Sequence, residues 1–179
     1  MHITLKGTLM DRYIWLFPII FIFHDMEEVI GFGIWLKKNE KMLAEKYPFV
    51  QKAYKDFSTE GFALAVYEEF IVCVVFSALA EYTHMEIFRL LWLGGFIACT
   101  MHFVLHIGQC LVVRQYIPAL ITSMICLPVS VLIIADCISM LECSVVKIII
   151  FSVIGIIIAG LNLKFAQSLI GRFTRWRKS

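Results

Sequence analysis

The stretch FIFHDMEEVI, residues 21–30, places a histidine and three acids inside an apolar run. In a helix each residue turns by about 100°, so His24, Glu27 and Glu28 share one face. Asp25 lies at the margin of that face. Charged groups are costly in the core of a bilayer, and the face is therefore unsuited to contact with lipid. The stretch predicts a membrane helix whose charged face is turned towards neighbouring helices.

The chain around this stretch is strongly apolar: 60% of its 179 residues are hydrophobic, whereas a soluble domain is nearer half. Apolar runs long enough to cross a bilayer core of about 30 Å predict five spans, at residues 12–36, 60–82, 87–112, 115–136 and 147–171. We therefore predict an all-α, polytopic membrane helix bundle of about five transmembrane helices, forming a single domain over residues 1–179. Between the first two spans we predict an amphipathic interfacial helix, with a solvated linker as the alternative. Its apolar side chains are Leu43, Tyr47, Val50, Tyr54 and Phe57.

Lysine and arginine are distributed unevenly between the two ends of these spans, and this bias sets the orientation of a membrane protein. Eleven lie at one end, in the loop 37–55, at Arg114 and in the tail 172–178. Four lie at the other end, and these are Lys6, Arg12, Arg89 and Lys147. We predict a multi-pass protein of the cell membrane with its N-terminus outside and its C-terminus in the cytoplasm. The first span is too long and too charged for a cleaved signal peptide, so we expect it to stay in the mature protein.

The acids of the first span need compensation within the membrane. Each acid at mid-helix opposes insertion by about 2.5–3.5 kcal/mol, so three acids oppose it by about 8–10 kcal/mol if they are unpaired. One basic residue, Lys164, lies within the last span away from its ends, and we expect its long side chain to extend to the interface instead of pairing with these acids. Other polar residues lie at the depth of these acids, counted from the span ends at about 1.5 Å per residue. They are Glu68, Glu69, His102, His106, Thr122, Ser123 and Asn162.

Histidines and glutamates without a basic partner predict a metal site. The candidate ligands are His24, Glu27, Glu28, Glu68, Glu69, His102 and His106. One zinc ion usually takes about three protein ligands and a water, so this set suffices for one or two ions of a divalent transition metal, namely zinc, iron or manganese. Glu27 is also a candidate general base, and either Glu68 or Glu69 could be the bridging carboxylate. Nearby polar residues are expected to support the ligands, and these are Asp25, Gln109, Thr122, Ser123 and Asn162. A proton or ion pathway and a structural polar cluster are the alternative interpretations.

Four segments resemble a known family: HDMEE at 24–28, VYEEF at 66–70, HFVLHIGQ at 102–109 and RQYIPALITS at 114–123. They resemble the HXXEE-domain family of small bacterial integral membrane proteins. The resemblance runs through the first four predicted spans. It implies a membrane location and a shared polar core, and it implies no particular reaction. At Pro118-Ala119 the chain departs from the Pro-Gly pair that this resemblance leads us to expect.

These features together predict an intramembrane metal-dependent enzyme, a hydrolase or an oxidoreductase, that acts on a lipid-like substrate among membrane lipids. The alternatives are a small cation- or proton-binding transporter and a metal-stabilised membrane scaffold. Against the transporter, the sequence contains no inverted repeat. It also contains no nucleotide-binding glycine loop and no nucleic-acid patch, so no nucleic-acid partner is expected. The oligomeric state stays open, as does a disulfide between Cys137 and Cys143.

Overall fold

The computed structural model describes residues 10–141 and 143–179, and these residues form helices and connecting loops without a strand. Residues 10–14 are helical and end in a turn at Trp15. The helices that follow are α1 (Leu16–Lys38), α2 (Glu40–Lys46), α3 (Pro48–Ala53), α4 (Thr59–Tyr82), α5 (Glu86–Val113), α6 (Leu120–Met140) and α7 (Val145–Lys178). The predicted all-α bundle is confirmed. Lys6, which contributes to the predicted charge bias, lies outside the described residues.

Four helices are long and apolar enough to cross a membrane: α4, α5, α6 and the Val145–Arg177 part of α7. The remaining predicted span, residues 12–36, corresponds to α1. This helix has 23 residues, enough to cross a bilayer core, but its three acids lie together between residues 25 and 28, whereas each of the other four contains a long apolar stretch with at most two charged residues. It packs along α4 and also contacts α6. The helix with three acids at its middle therefore has protein neighbours on at least two sides.

The start of α6 differs from the sequence-based boundary. We predicted a span from residue 115, whereas α6 begins at Leu120. The preceding loop turns sharply, with φ of 55° at Arg114 and 87° at Ala119. Positive φ is strained for a residue with a Cβ atom, so Ala119 occupies a position that favours glycine. This accounts for the expectation of a Pro-Gly pair at Pro118-Ala119.

Small residues hold α7 against its neighbours at two points. A Cβ atom at Gly94 of α5 would overlap the Phe151 carbonyl of α7, and one at Gly155 would overlap the backbone of Gly94. Nearer the other end of α7, a Cβ atom at Gly61 of α4 would lie 2.9 Å from the Ile170 carbonyl oxygen. Backbones approach this closely only where side chains are absent. Between these two contacts the helices leave a gap, which is lined on α7 by Ala159 and Gly160 among others.

Ion pairs between lysine or arginine and acidic residues lie at both ends of the bundle. One end of the bundle contains the segment 37–58 with its six lysines, and we call it the lysine-rich end. There Arg175 pairs with Asp56 at 3.1 Å, and Arg177 pairs with Glu60. At the opposite end Lys147 pairs with Glu86 at 2.8 Å, and Arg89 pairs with Asp11 at 3.0 Å. The structure thus groups the basic residues at the two ends as the sequence predicts.

The segment between α1 and α4 covers the lysine-rich end of the bundle. It consists of two short helices, α2 and α3, instead of one continuous amphipathic helix. Leu43 is buried in a cluster with Trp35, Cys110 and Ile117, and Tyr47 and Val50 pack against that cluster. The rings of Tyr54 and Phe57 lie against Phe32 of α1. The predicted apolar side chains therefore anchor this segment to α1 and to the end of α5.

Candidate functional site

Three histidines from two helices meet in the interior of the bundle. His24 comes from α1, whereas His102 and His106 lie one turn apart on α5. One ring nitrogen of each histidine lies within 4.8 Å of those of the other two. The Nε2 atoms of His102 and His106 are 2.7 Å apart, and His106 Nε2 is 3.5 Å from Glu28 Oε1. The spacing on both helices thus directs four donor groups into one small volume.

These four groups fit a bound transition metal. A zinc ion binds imidazole nitrogens at about 2.0–2.1 Å in a tetrahedral arrangement, which separates neighbouring nitrogens by about 3.4 Å. The His102 and His106 nitrogens, which are 2.7 Å apart, would separate by about 0.7 Å to reach that distance. Imidazole and carboxylate groups are ligands that suit zinc, iron and manganese. The three histidines and Glu28 therefore fit the divalent metal predicted from the sequence. That a metal binds there stays a prediction.

A chain of hydrogen bonds through Thr122 to Glu27 orients His24; we call it the polar relay. It contacts the side of the His24 ring that faces away from the other two histidines. The Thr122 hydroxyl donates to Glu27 Oε2 at 2.7 Å, and its oxygen lies 3.1 Å from His24 Nδ1. A hydroxyl has one proton to donate, so His24 Nδ1–H is the donor in the second bond. The Nε2 atom then carries the lone pair. This buried atom has no hydrogen-bond partner among the described residues, which is the state of a histidine prepared to bind a metal.

Glu27 faces α6 and the loop that precedes it. Its carboxylate accepts hydrogen bonds from the Thr122 backbone N–H at 2.8 Å and from the Tyr116 hydroxyl at 2.5 Å. Partial burial and the contact with Glu27 raise the pKa of Tyr116 to about 12, so the phenol keeps its proton and donates it. Glu27 thus lies behind His24, on the other side of Thr122. Its roles as metal ligand and as general base stay predictions.

The other predicted acids lie near the cluster in two different settings. Asp25 and Glu69 line the same cavity as Glu28. Asp25 is 4% exposed, and its Oδ2 atom has no hydrogen-bond partner in the described part of the chain. Glu68, in contrast, accepts a hydrogen bond from Asn162 Nδ2 at 3.2 Å. Asp25, which we predicted to support the ligands, is therefore part of the cavity wall.

The supporting residues on α5 and α6 differ in exposure. Ser123 is buried beside Thr122, whereas Gln109 is exposed, one turn beyond His106. Sequence reasoning missed Tyr116, because this residue lies in a loop 89 positions from Glu27 along the chain and no helical spacing connects the two. The possible Cys137–Cys143 disulfide is absent, since both cysteines are free.

A cavity of about 290 Å³ adjoins the histidine cluster at His102. The half near the Gly94–Gly155 crossing is apolar and is lined by Phe17, Phe21, Phe76 and Leu91. The half nearer the lysine-rich end, which we call the polar half, contains the polar side chains beside apolar ones such as Phe62 and Leu105; the polar ones are Asp25, Glu28, Glu69, His102 and Asn162. Its rim contains side chains of α5 and α7 that are 37–62% exposed on the apolar surface: Met101, Leu105, Ile156 and Leu163. The cavity therefore connects the site with the surface between α5 and α7.

The motif on α1 also relates the chain to other proteins. A family described as proteins of unknown function with an HXXEE motif matches residues 15–133. This chain belongs to that family. The matched range of the HXXEE protein begins before α1 and ends within α6, so it contains His24, His102 and His106 together with Glu28. The α7 wall of the cavity lies beyond it. No curated protein and no solved structure matches the chain.

Proposed function

We propose that this HXXEE protein is a metal-dependent membrane enzyme, a hydrolase or an oxidoreductase, that acts on a lipid-like substrate. One observation carries the proposal: three histidine ring nitrogens converge beside Glu28, and two of these four residues, His102 and Glu28, line a cavity whose rim reaches the apolar surface. A histidine with a purely structural role is expected to have both ring nitrogens satisfied by hydrogen bonds. His24 Nε2 has no such partner in the described residues.

The proposed ligands are His24, His102, His106 and Glu28, and Glu69 is the candidate for bridging to a second ion. When bound, a divalent metal supplies Lewis-acid or redox chemistry at the substrate. Other residues of this chain would position the ligands and keep water away from the substrate. Glu27 and Thr122 hold His24 in place, and the aromatic wall of the cavity excludes water. Asp25 and Glu69 face the cavity, where a carboxylate can hold or move a proton of the substrate.

The lipid composition of cells tests this function. Cells that express the protein are expected to differ in a defined lipid class from cells that lack it, and a Glu28→Gln variant is expected to erase the difference. The measurement is mass spectrometry of lipid extracts, with the amount of inserted protein matched by immunoblot. Glu45→Gln is the matched control, because Glu45 is exposed on α2. Identical lipid profiles with metal-loaded wild-type protein would favour the cation transporter or the scaffold instead.

We also propose that the lysine-rich end faces the cytoplasm, in accordance with the excess of lysine and arginine there. Single cysteines placed between residues 37 and 58 of a cysteine-free variant are expected to resist impermeant thiol reagents added outside intact cells. A cysteine placed between Thr83 and Glu86 is expected to react. Permeabilised cells provide the control, because both positions should then be labelled. If only the cysteines between residues 37 and 58 are labelled in intact cells, the orientation is opposite to the one proposed.

A further inference from the structure

We propose that the cavity binds a single-chain amphiphile with a cationic amine headgroup. This inference names the substrate class of the proposed enzyme and rests on that function, although binding can be measured without a reaction. It depends on the volume and polarity of the cavity, on the sign of its charge, and on one buried carboxylate without a partner.

The volume and polarity of the cavity suit one alkyl chain. At about 10–15 Å³ for a water-sized group, a cavity of about 290 Å³ holds on the order of twenty small groups, which is enough for one alkyl chain of about twelve carbons. That is too little for the two chains of a phospholipid. The apolar half lies towards the Gly94–Gly155 crossing, and the polar half lies towards the lysine-rich end. An amphiphile would therefore place its chain among Phe17, Phe21 and Phe76, with its headgroup beside the acids.

The polar half of the cavity has only one sign of charge. It contains the carboxyl groups of Asp25, Glu28 and Glu69, and no lysine or arginine is among the described residues that line it. A metal held by the histidines and Glu28 would leave Asp25 and Glu69 without a counter-ion. Like charges repel strongly in a medium of low dielectric, so a fatty acid or a phosphate headgroup is disfavoured. A protonated amine would instead neutralise the remaining acids.

Asp25 provides the second, independent observation. Its side chain is 4% exposed and lines the cavity, and its Oδ2 atom is without a hydrogen-bond partner in the part of the chain that the structure describes. A buried polar atom in this state needs a partner. The three hydrogens of an ammonium group are donors only, so they match a set of carboxylate acceptors. The α5–α7 rim gives such a molecule a route from the lipid.

A competition between three probes with the same chain tests the proposal. Dodecylamine, dodecanol and dodecanoate are mixed in equal amounts with purified wild-type protein in detergent, and the retained molecule is identified by native mass spectrometry. We expect dodecylamine to be retained at least about tenfold over dodecanoate, a difference of about 1.4 kcal/mol, and to exceed dodecanol. Equal retention of the three, preference for dodecanol or dodecanoate, or retention of none would overturn the proposal.

Two conservative variants locate the headgroup. Asp25→Asn and Glu69→Gln are each expected to reduce the preference for dodecylamine over dodecanol while the alcohol is still retained. Glu68→Gln is the matched control, because Glu68 is adjacent to Glu69 but is bonded to Asn162 and does not line the cavity. An equal effect of Glu68→Gln would show that the preference reflects overall charge. If a variant does not fold, the proposal is still tested by the order in which the wild-type protein retains dodecylamine, dodecanol and dodecanoate.

The competition also separates this proposal from the proposed function. It is performed with metal-loaded and with metal-stripped protein. Amine retention by both forms, without any change in cellular lipids, would support the binding site and contradict the enzyme. A Glu28-dependent change in cellular lipids without amine retention would support the enzyme and contradict the amine headgroup.

Discussion

Protein with the substitution His106→Gln is expected to lose nearly all of its bound metal. Wild-type protein purified without chelator should carry one to two transition-metal ions per chain, and the variant less than about a tenth of that, because a site of three histidines and a carboxylate loses a direct ligand. Elemental mass spectrometry of the purified proteins measures both values. Wild-type protein that holds no metal after incubation with zinc, iron and manganese would contradict the site altogether.

Substitutions at Thr122 provide a graded control for this loss. Thr122→Val keeps the shape of the side chain but removes the acceptor for His24 Nδ1–H, and we expect metal affinity to fall by about 10–100-fold. Thr122→Ser keeps the hydroxyl and should remain close to wild type. If the valine and serine variants bind metal equally well, the relay through Glu27 does not orient His24. A metal titration of stripped protein distinguishes these cases.

The substitution Gly94→Ala is expected to destabilise the protein by about 1–3 kcal/mol, the typical penalty of overpacking. The new methyl group would overlap the Phe151 carbonyl of α7, and backbone cannot move aside as a flexible side chain can. The helices α5 and α7 must then separate. The free energy of unfolding, measured in mixed detergent micelles, should fall accordingly.

Gly108→Ala is the matched control on the same helix. Nothing lies within 4 Å of a Cβ atom built at Gly108, and alanine is favoured over glycine in a helix by about 1 kcal/mol. This variant should therefore be as stable as the wild type or more stable. Equal destabilisation by the two substitutions would mean that the close approach of Gly94 to α7 does not hold these helices together.

Much of the bundle could be predicted because lipid imposes simple rules on sequence. Four of the five apolar runs appear as helices with the composition of membrane spans. The depth of the polar residues in the bilayer could also be predicted by counting along the helices. Residues assigned to the same depth do form hydrogen bonds: His24 with Thr122, 98 positions away, and Asn162 with Glu68. Depth in a bilayer is one coordinate, and a helix converts residue number into that coordinate directly.

Rotation of the helices and the shapes of loops could not be predicted in this way. Glu27 and Glu28 share a face by sequence, yet one contacts Thr122 and the other approaches His106, because α1 lies between two neighbours. A Cβ atom at Gly31 of α1 would lie 2.8 Å from Pro118 Cγ in a loop, a contact that helical spacing does not specify. Such choices depend on packing among distant segments, which one sequence does not specify.

The acidic composition of α1 has a consequence for the biogenesis of the protein. This helix leaves the ribosome before the other long helices, yet three acids make it a poor substrate for release from the translocon into lipid. The groups that contact its polar side chains, His106 on α5 and Thr122 on α6, are synthesised much later. We expect α1 to wait beside the translocon until α5 and α6 have emerged. Among the long helices that the structure describes, the earliest to be translated would then be among the last to enter the membrane.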